Sequence, residues 1–380
     1  MLAITTLCVV AASGYWGFRT WKTNAFATQC AELKKEKNWE KLREVAGRWT
    51  TWNPTDGAAW WMASAAALEL DEYENLEFCL TQIPPTDPNY LVALVELANL
   101  QWSALNKPVE ALATSQKALE IDPRLPEPNA RIISFYAMTG QRAKLLNAIR
   151  QAIRNHAEPR EAYTYLLMSD VLAFTNSIET NSKWMRGAPN VLEFKVGMAV
   201  STAMKFQMDL DVSPDEDTRR MADEAGQQLN SFLEANPDNP VLLAFLMNQA
   251  YRNGDLNRMA ELLEKVGENA ANDHMMWVYK AWFHSQSGDI TQAEEAIQQA
   301  LTIHPTSPLA HHENAAILRL QQHPDAAKEQ RIASYGRDLR TQMMQLPTAA
   351  DLTPVLMVQL HSYAIECGDT EVVNAIADRF

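Results

Sequence analysis

Proline closes successive helical runs at a nearly fixed spacing. Pro54, Pro88 and Pro123 stand in the phrases WNPTD, PTDPN and EIDPR, 34 and 35 residues apart, and Pro237 and Pro305 are 68 apart, twice 34. A second marker keeps the same period. Gly254-Asp255 and Gly288-Asp289 are 34 apart, and Gly140 fits the same slot upstream. Gly140 to Gly254 and Pro123 to Pro237 are both 114 residues, three periods plus 12. Two markers that slip by one amount indicate a single insertion in a continuing pattern. A period of this length means one supersecondary unit per repeat, and such a unit cannot bury its apolar faces alone, so units must stack.

Each period reads as two helices. From His274, Trp277, Ala281 and Phe283 belong to a first amphipathic helix that ends at Gly288. Asp289 can cap a second helix, in which Ala293, Ile297, Ala300 and Leu301 recur at three- and four-residue steps. Pro305 ends it, because proline has no backbone N–H to continue the ladder. Small residues at Ala281 and Ala293 let the two helices approach closely.

With these residues in place, the chain resembles the tetratricopeptide repeat family. GDITQAEEAIQQALTIHP at 288–305 is similar to that family's second helix, with Ala293 and Ala300 at its small positions, Ile297 at its large one and Pro305 at its end. PVEALATSQKALEIDP at 108–123 resembles it as well, Trp277 stands where the family's first-helix tryptophan stands, Trp60 and Tyr73 fit in the second repeat, and Trp39 takes the aromatic slot in the first. Repeats are expected at 23–56, 57–91, 92–125, 126–159, 240–273, 274–307 and 308–341, with a truncated one at 354–380. Leu145 and Arg331 depart from the pattern in the fourth repeat and in 308–341. The resemblance implies an all-α, right-handed α-solenoid whose first helices line a concave groove. It places Trp61, Ala65, Ala244, Asn248, Tyr251, Val278 and Trp282 on that groove as candidate partner-binding residues for a protein or peptide. Some relatives clamp a terminal carboxylate there, and the matching positions Trp61, Ala65, Glu96, Leu100, Ala244 and Val278 have the wrong chemistry for that.

Residues 160–239 interrupt the period. YTYLLMSDVLAF and VLEFKVGMAVSTAMKFQM read as helices, SIETNSKWMRGAPN as a loop, and Ser213, Pro214 and Glu216 as a capped helix start. The expected division is therefore an anchor at 1–22, an N-terminal array at 23–159, an irregular segment at 160–239 and a C-terminal array at 240–380.

Leu2 to Phe18 carries no charge and is followed by Arg19, Trp21 and Lys22. Seventeen apolar or neutral residues with Tyr15 and Trp16 at one end read as one transmembrane helix, so residues 2–18 are expected to hold the chain to a membrane as a single-pass protein. The cations after the segment favour a cytoplasmic body. A cleaved signal peptide, leaving an exported soluble adaptor, is the alternative.

Little chemistry is legible. The chain has 47 acidic and 33 basic residues and a net charge of -14, which argues against nucleic acid as its partner. Its 13 glycines are about half the usual share, as expected for helices joined by short turns. Cys8, Cys30, Cys79 and Cys367 form no CxxC pair. His311-His312-Glu313 lacks the second histidine of HExxH, and the alternation Asp209, Asp211, Ser213, Asp215 has Pro214 where a calcium loop turns on glycine. No cofactor or metal is expected. The reading is a non-catalytic, membrane-anchored scaffold, with a metal-dependent enzyme using the His311 region as the remote alternative.

Overall fold

The computed structural model describes residues 2–171, 176–212, 215–267 and 270–379, with side chains from Trp16 onward except Asp211. Every regular element among them is a helix, and the chain divides into two compact units, residues 1–122 and 123–380. The first unit holds α1 (Leu2–Lys35), α2 (Trp39–Trp52), α3 (Gly57–Glu69), α4 (Tyr73–Thr81), α5 (Tyr90–Ser103) and α6 (Pro108–Ile121). The second begins with α7 (Pro126–Met138), α8 (Arg142–Arg154), α9 (Glu161–Met168), α10 (Ser177–Gly187), α11 (Leu192–Val212) and α12 (Glu216–Ala235). It continues with α13 (Pro240–Asn253), α14 (Leu256–Leu263), α15 (His274–Gln286), α16 (Ile290–Ile303), α17 (Pro308–Leu320), α18 (Ala326–Met344), α19 (Pro354–Cys367) and α20 (Thr370–Arg379).

The period is written into the backbone as a left-handed residue between the two helices of eight pairs. Lys37, Asp71, Asn106 and Gly140 all have positive φ and lie 34, 35 and 34 residues apart; Gly254, Gly288 and Gln322 repeat it at 34 and 34, and Gly368 follows. The N–H after the turn reaches back five residues at Asn38, Glu72, Gln141, Asp255, Asp289, His323 and Asp369, with N···O distances of 2.9 to 3.0 Å. This is the bond that satisfies orphan carbonyls at a helix end. The next helix is often capped from the same spot: Asp255 accepts from the Arg258 N–H, Asp289 from Gln292 and Asp369 from Val372. Glycine at this slot was legible in the sequence, while Lys37, Asp71 and Asn106 fill it in the first unit.

The first unit stacks three helix pairs. Cys30, Leu42, Val45, Trp49, Ala59, Ala63 and Cys79 form one core, and Ala67, Leu76, Ile83, Ala93 and Leu97 the next. The Trp49 ring is buried and its indole N–H donates to Asp56 at 3.1 Å, so the largest core side chain also ties α2 to the start of α3.

Helix α1 corrects the membrane expectation. It runs unbroken through Arg19 and Lys22 to Lys34 and Lys35, and its second half packs Phe26, Ala27, Cys30 and Leu33 on the core of the first pair. Among the described residues no helix is long and apolar enough to cross a membrane. The apolar run is shorter than the roughly 20 residues a span needs, so a single-pass membrane location is overturned. Trp16 and Trp21 are exposed, while Tyr15 lies outside the described side chains.

The second unit is arranged around α9. Of its eight residues only Glu161 is not buried, and the turn Ser169-Asp170 beyond it is buried too. A short helix that is apolar all round belongs in a core. It packs against α7, α8 and α18, while α8 meets α20 near the other end of the unit. Arg150 on α8 makes a two-pronged ion pair with Asp369, at 2.7 and 2.5 Å, and Arg154 donates to Glu371 at 2.8 Å. Thr164 on α9 donates to the Ala349 carbonyl at 2.7 Å. The α9 segment is thus enclosed by α7, α8, α18 and the Ala349 turn.

Within 160–239, the stretch read as a loop is α10. Ser177, Asn181 and Trp184 recur at four- and three-residue steps on its buried face, and Ser177 and Asn181 both donate to the Met138 carbonyl, at 2.9 and 2.8 Å. Polar Asn181 hid an amphipathic helix by serving as a buried cap. Ser213 and Pro214 lie outside the described residues, and α12 is capped by Asp215, whose carboxylate accepts from the Thr218 N–H at 2.8 Å.

Candidate functional site

The second unit contains a cleft of about 300 Å3 between α11 and α13. Val200, Met204 and Met208 line it from α11, and Val241, Ala244 and Phe245 from α13. Its polar lining includes Arg142, Asp170, Asn248, Arg252, Tyr279 and Arg340. Three of the groove residues implied by the resemblance, Ala244, Asn248 and Tyr251, are therefore on this wall. They lie three or four residues apart on α13, which puts them on one helical face.

The other groove candidates are placed differently. Val278 is fully buried in the core, and Trp282 is buried with its ring edge-on to Tyr251, centroids 5.3 Å apart. Trp282 thus supports the cleft wall from behind. Trp61 and Ala65 are half-buried on α3 in the first unit, where Trp61 packs on the core of Leu76, Ile83 and Ala93.

Electrostatics of the polar lining follow from burial. The Arg142 guanidinium donates to both carboxylate oxygens of Asp273, at 3.2 and 3.0 Å, and to the Ser169 carbonyl at 2.6 Å. Burial disfavours its charge, but the Asp273 carboxylate outweighs burial and its pKa rises. Asp170 contacts the His274 ring at 2.8 Å and accepts from the Ser307 hydroxyl at 3.0 Å and the Leu309 N–H at 3.1 Å, with Arg340 at 3.8 Å. Burial alone would raise its pKa; these partners, His274 first, hold it well below the usual carboxylate range. Tyr251 donates to Glu313 at 2.5 Å, and Asn248 donates to the Tyr279 hydroxyl at 3.1 Å. Both phenols are pushed up, chiefly by burial. The wall is preorganised: its polar side chains hold one another in place before any ligand arrives.

The His311 region has a structural role. His311 donates to the Pro305 carbonyl, six residues back, at 2.7 Å, and its other ring nitrogen pairs with Glu329 at 2.7 Å. Trp60 and Trp277 donate in the same way to the carbonyls of Pro54 and Ala271, each at 2.8 Å, and Asn129 to Pro123 at 3.1 Å. His311 is the repeat equivalent of Trp277, 34 residues on, so it ties the first helix of its pair to the preceding turn. Glu313 is spoken for by Tyr251.

Histidine and carboxylate donors do gather elsewhere. Asp170, His274 and His304, all buried, bring their donor atoms within 4.8 Å of one another behind the cleft wall. They come from positions 104 and 30 residues apart, a spacing no short motif reveals.

No protein-family model and no curated protein sequence matches the chain. Among solved structures it is similar to a tetratricopeptide repeat protein from Parabacteroides merdae, with 14% identity and a TM-score of 0.28 over 65% of this chain and 93% of that one. It is also similar to the APC/C hetero-tetramer Cut9-Hcn1, with 12% identity and a TM-score of 0.32 over 93% and 79%, and to yeast Tom70, with 11% identity and 0.28 over 95% and 88%. At these values the likenesses carry no argument about partners, and the helix-pair solenoid rests on the repeating turns of the chain itself.

Proposed function

We propose that the chain is a non-catalytic scaffold or adaptor, and that the cleft between α11 and α13 holds a segment of a protein partner. An aliphatic or aromatic side chain of that segment enters between Met204, Met208 and Phe245, and a neighbouring acidic group meets the arginines of the lining. The observation that carries this reading is the lining itself: Met204, Met208 and Phe245 together with Arg252 and Arg340, in a chain whose net charge is -14. A cleft with low-dielectric walls concentrates the field of its own charges, here three arginines against the single carboxylate of Asp170 among the lining residues. Methionines on one wall let it adapt to different apolar groups.

Selection of displayed peptides on the immobilised full chain tests this. Enriched sequences should place an aliphatic or aromatic residue beside Asp or Glu. Met208→Glu and Arg252→Glu should each abolish their binding, because both residues are exposed at the rim and the fold tolerates the change. Trp61→Ala should leave it unchanged. Enrichment of basic peptides, or binding that survives both rim substitutions, would overturn the proposal.

A further inference from the structure

Asp170, His274 and His304 meet where three elements end or begin. Asp170 follows the end of α9, His274 opens α15 and His304 closes α16. None is more than 5% exposed, and the two imidazole rings lie 4.7 Å apart, centroid to centroid, at 66°. The His304 Nε2 lies 3.1 Å from both the Leu166 carbonyl oxygen and the Ser169 hydroxyl. His274 Nε2 faces the Asp170 carboxylate at 2.8 Å. Among the described residues, Nδ1 of both rings and the hydroxyl of buried Thr306, two residues beyond His304, have no hydrogen-bond partner. A buried polar atom left without a partner costs about 1–3 kcal/mol, so the two imidazoles keep unspent bonding capacity where one donor atom each of Asp170, His274 and His304 comes within 4.8 Å of the others.

We propose that Asp170, His274 and His304 form a zinc site, which fastens the end of α9 to the turns before α15 and α17. Two imidazole nitrogens and one carboxylate oxygen are a donor set that zinc accepts, with one position left for water or a hydroxyl. Zinc sits about 2.0–2.2 Å from such donors, so the group must contract a little from its 4.8 Å span. Access exists, because Asp170 also lines the cleft. Oxygen-seeking magnesium and calcium fit poorly, since two of the three donors are nitrogen. The site stands independently of the peptide reading.

The test uses the full chain, stripped with a chelator and titrated with zinc against a coloured competitor. One zinc per chain is expected, with a rise in melting temperature, and affinity should fall by at least ~10–100-fold in His304→Asn and in Asp170→Asn. No zinc uptake, or uptake unchanged in both variants, overturns the site. If circular dichroism shows that the variants do not fold, X-ray absorption of the zinc-loaded wild-type chain decides. Two imidazoles in an oxygen and nitrogen shell support the assignment; a sulfur ligand or fewer than two imidazoles overturns it.

Discussion

The Trp277 indole and the His311 imidazole, one repeat apart, make the same bond: each donates to the carbonyl oxygen six residues earlier, at 2.8 and 2.7 Å. Each one satisfies a carbonyl in the turn before its helix. His311→Ala should therefore cost about 1–3 kcal/mol, the penalty for losing a buried bond and stranding its partner, read as a lower urea midpoint. Burial works against the charge of Glu329, yet its bond to His311 leaves its pKa lowered. The sign follows: this stability is present above the unfolded carboxylate range and is lost as pH falls through the lowered folded value. The acid-side slope of stability should flatten in His311→Ala.

The left-handed turn slot offers a second prediction. A residue with a Cβ held at positive φ is strained by about 1–2 kcal/mol, and Lys37 sits at φ 57 where the equivalent turn of another pair has Gly288 at φ 84. Lys37→Gly should raise stability by up to ~1 kcal/mol, part of the gain being cancelled by the entropy of a freer unfolded chain. Gly288→Ala should lower it by about 1–2 kcal/mol, purely through the backbone, since a Cβ there would meet nothing within 4 Å. Paired urea titrations check both signs.

Arg142 and Asp273 form a buried ion pair with side chains 7% and 4% exposed. Arg142→Met should cost about 3–5 kcal/mol, because it leaves Asp273 buried without its cation. Adding Asp273→Leu should recover much of that loss. A double-mutant cycle by denaturant unfolding measures the difference.

Burial pushes the Cys30 and Cys79 thiols up to about 11. At pH 8 roughly one in a thousand would be thiolate, the reactive form. Neither should be alkylated in the folded chain within the time that denatured protein is fully labelled, as followed by mass spectrometry of the two peptides.

The solenoid was legible because proline and glycine at a 34-residue period report turns, and turns are set by local backbone chemistry. Asp289 as a cap and Gly254 and Gly288 as turn residues follow from that chemistry alone. What surrounds α9 was not legible. Its sequence EAYTYLLM shows no polar face, which signals burial, but besides its neighbours α7 and α8 it is buried by α18 and the Ala349 segment, over a hundred residues away. The cleft was half legible: Ala244, Asn248 and Tyr251 share a helix face that the repeat pattern marks, while Arg142, Asp170 and Arg340 reach it only through the fold. Leu2–Phe18 misled because an apolar run is read locally, whereas α1 continues into the core of the first pair.

The most direct test of the account is hydrogen–deuterium exchange of the full chain with and without a selected peptide. Amides of α9 should be among the slowest in the chain and unchanged by the peptide, with new protection confined to residues 200–208 of α11 and 241–252 of α13. Faster exchange in α9 on binding, with protection on α15 instead, would mean that the partner displaces the chain's own segment, and would contradict the account.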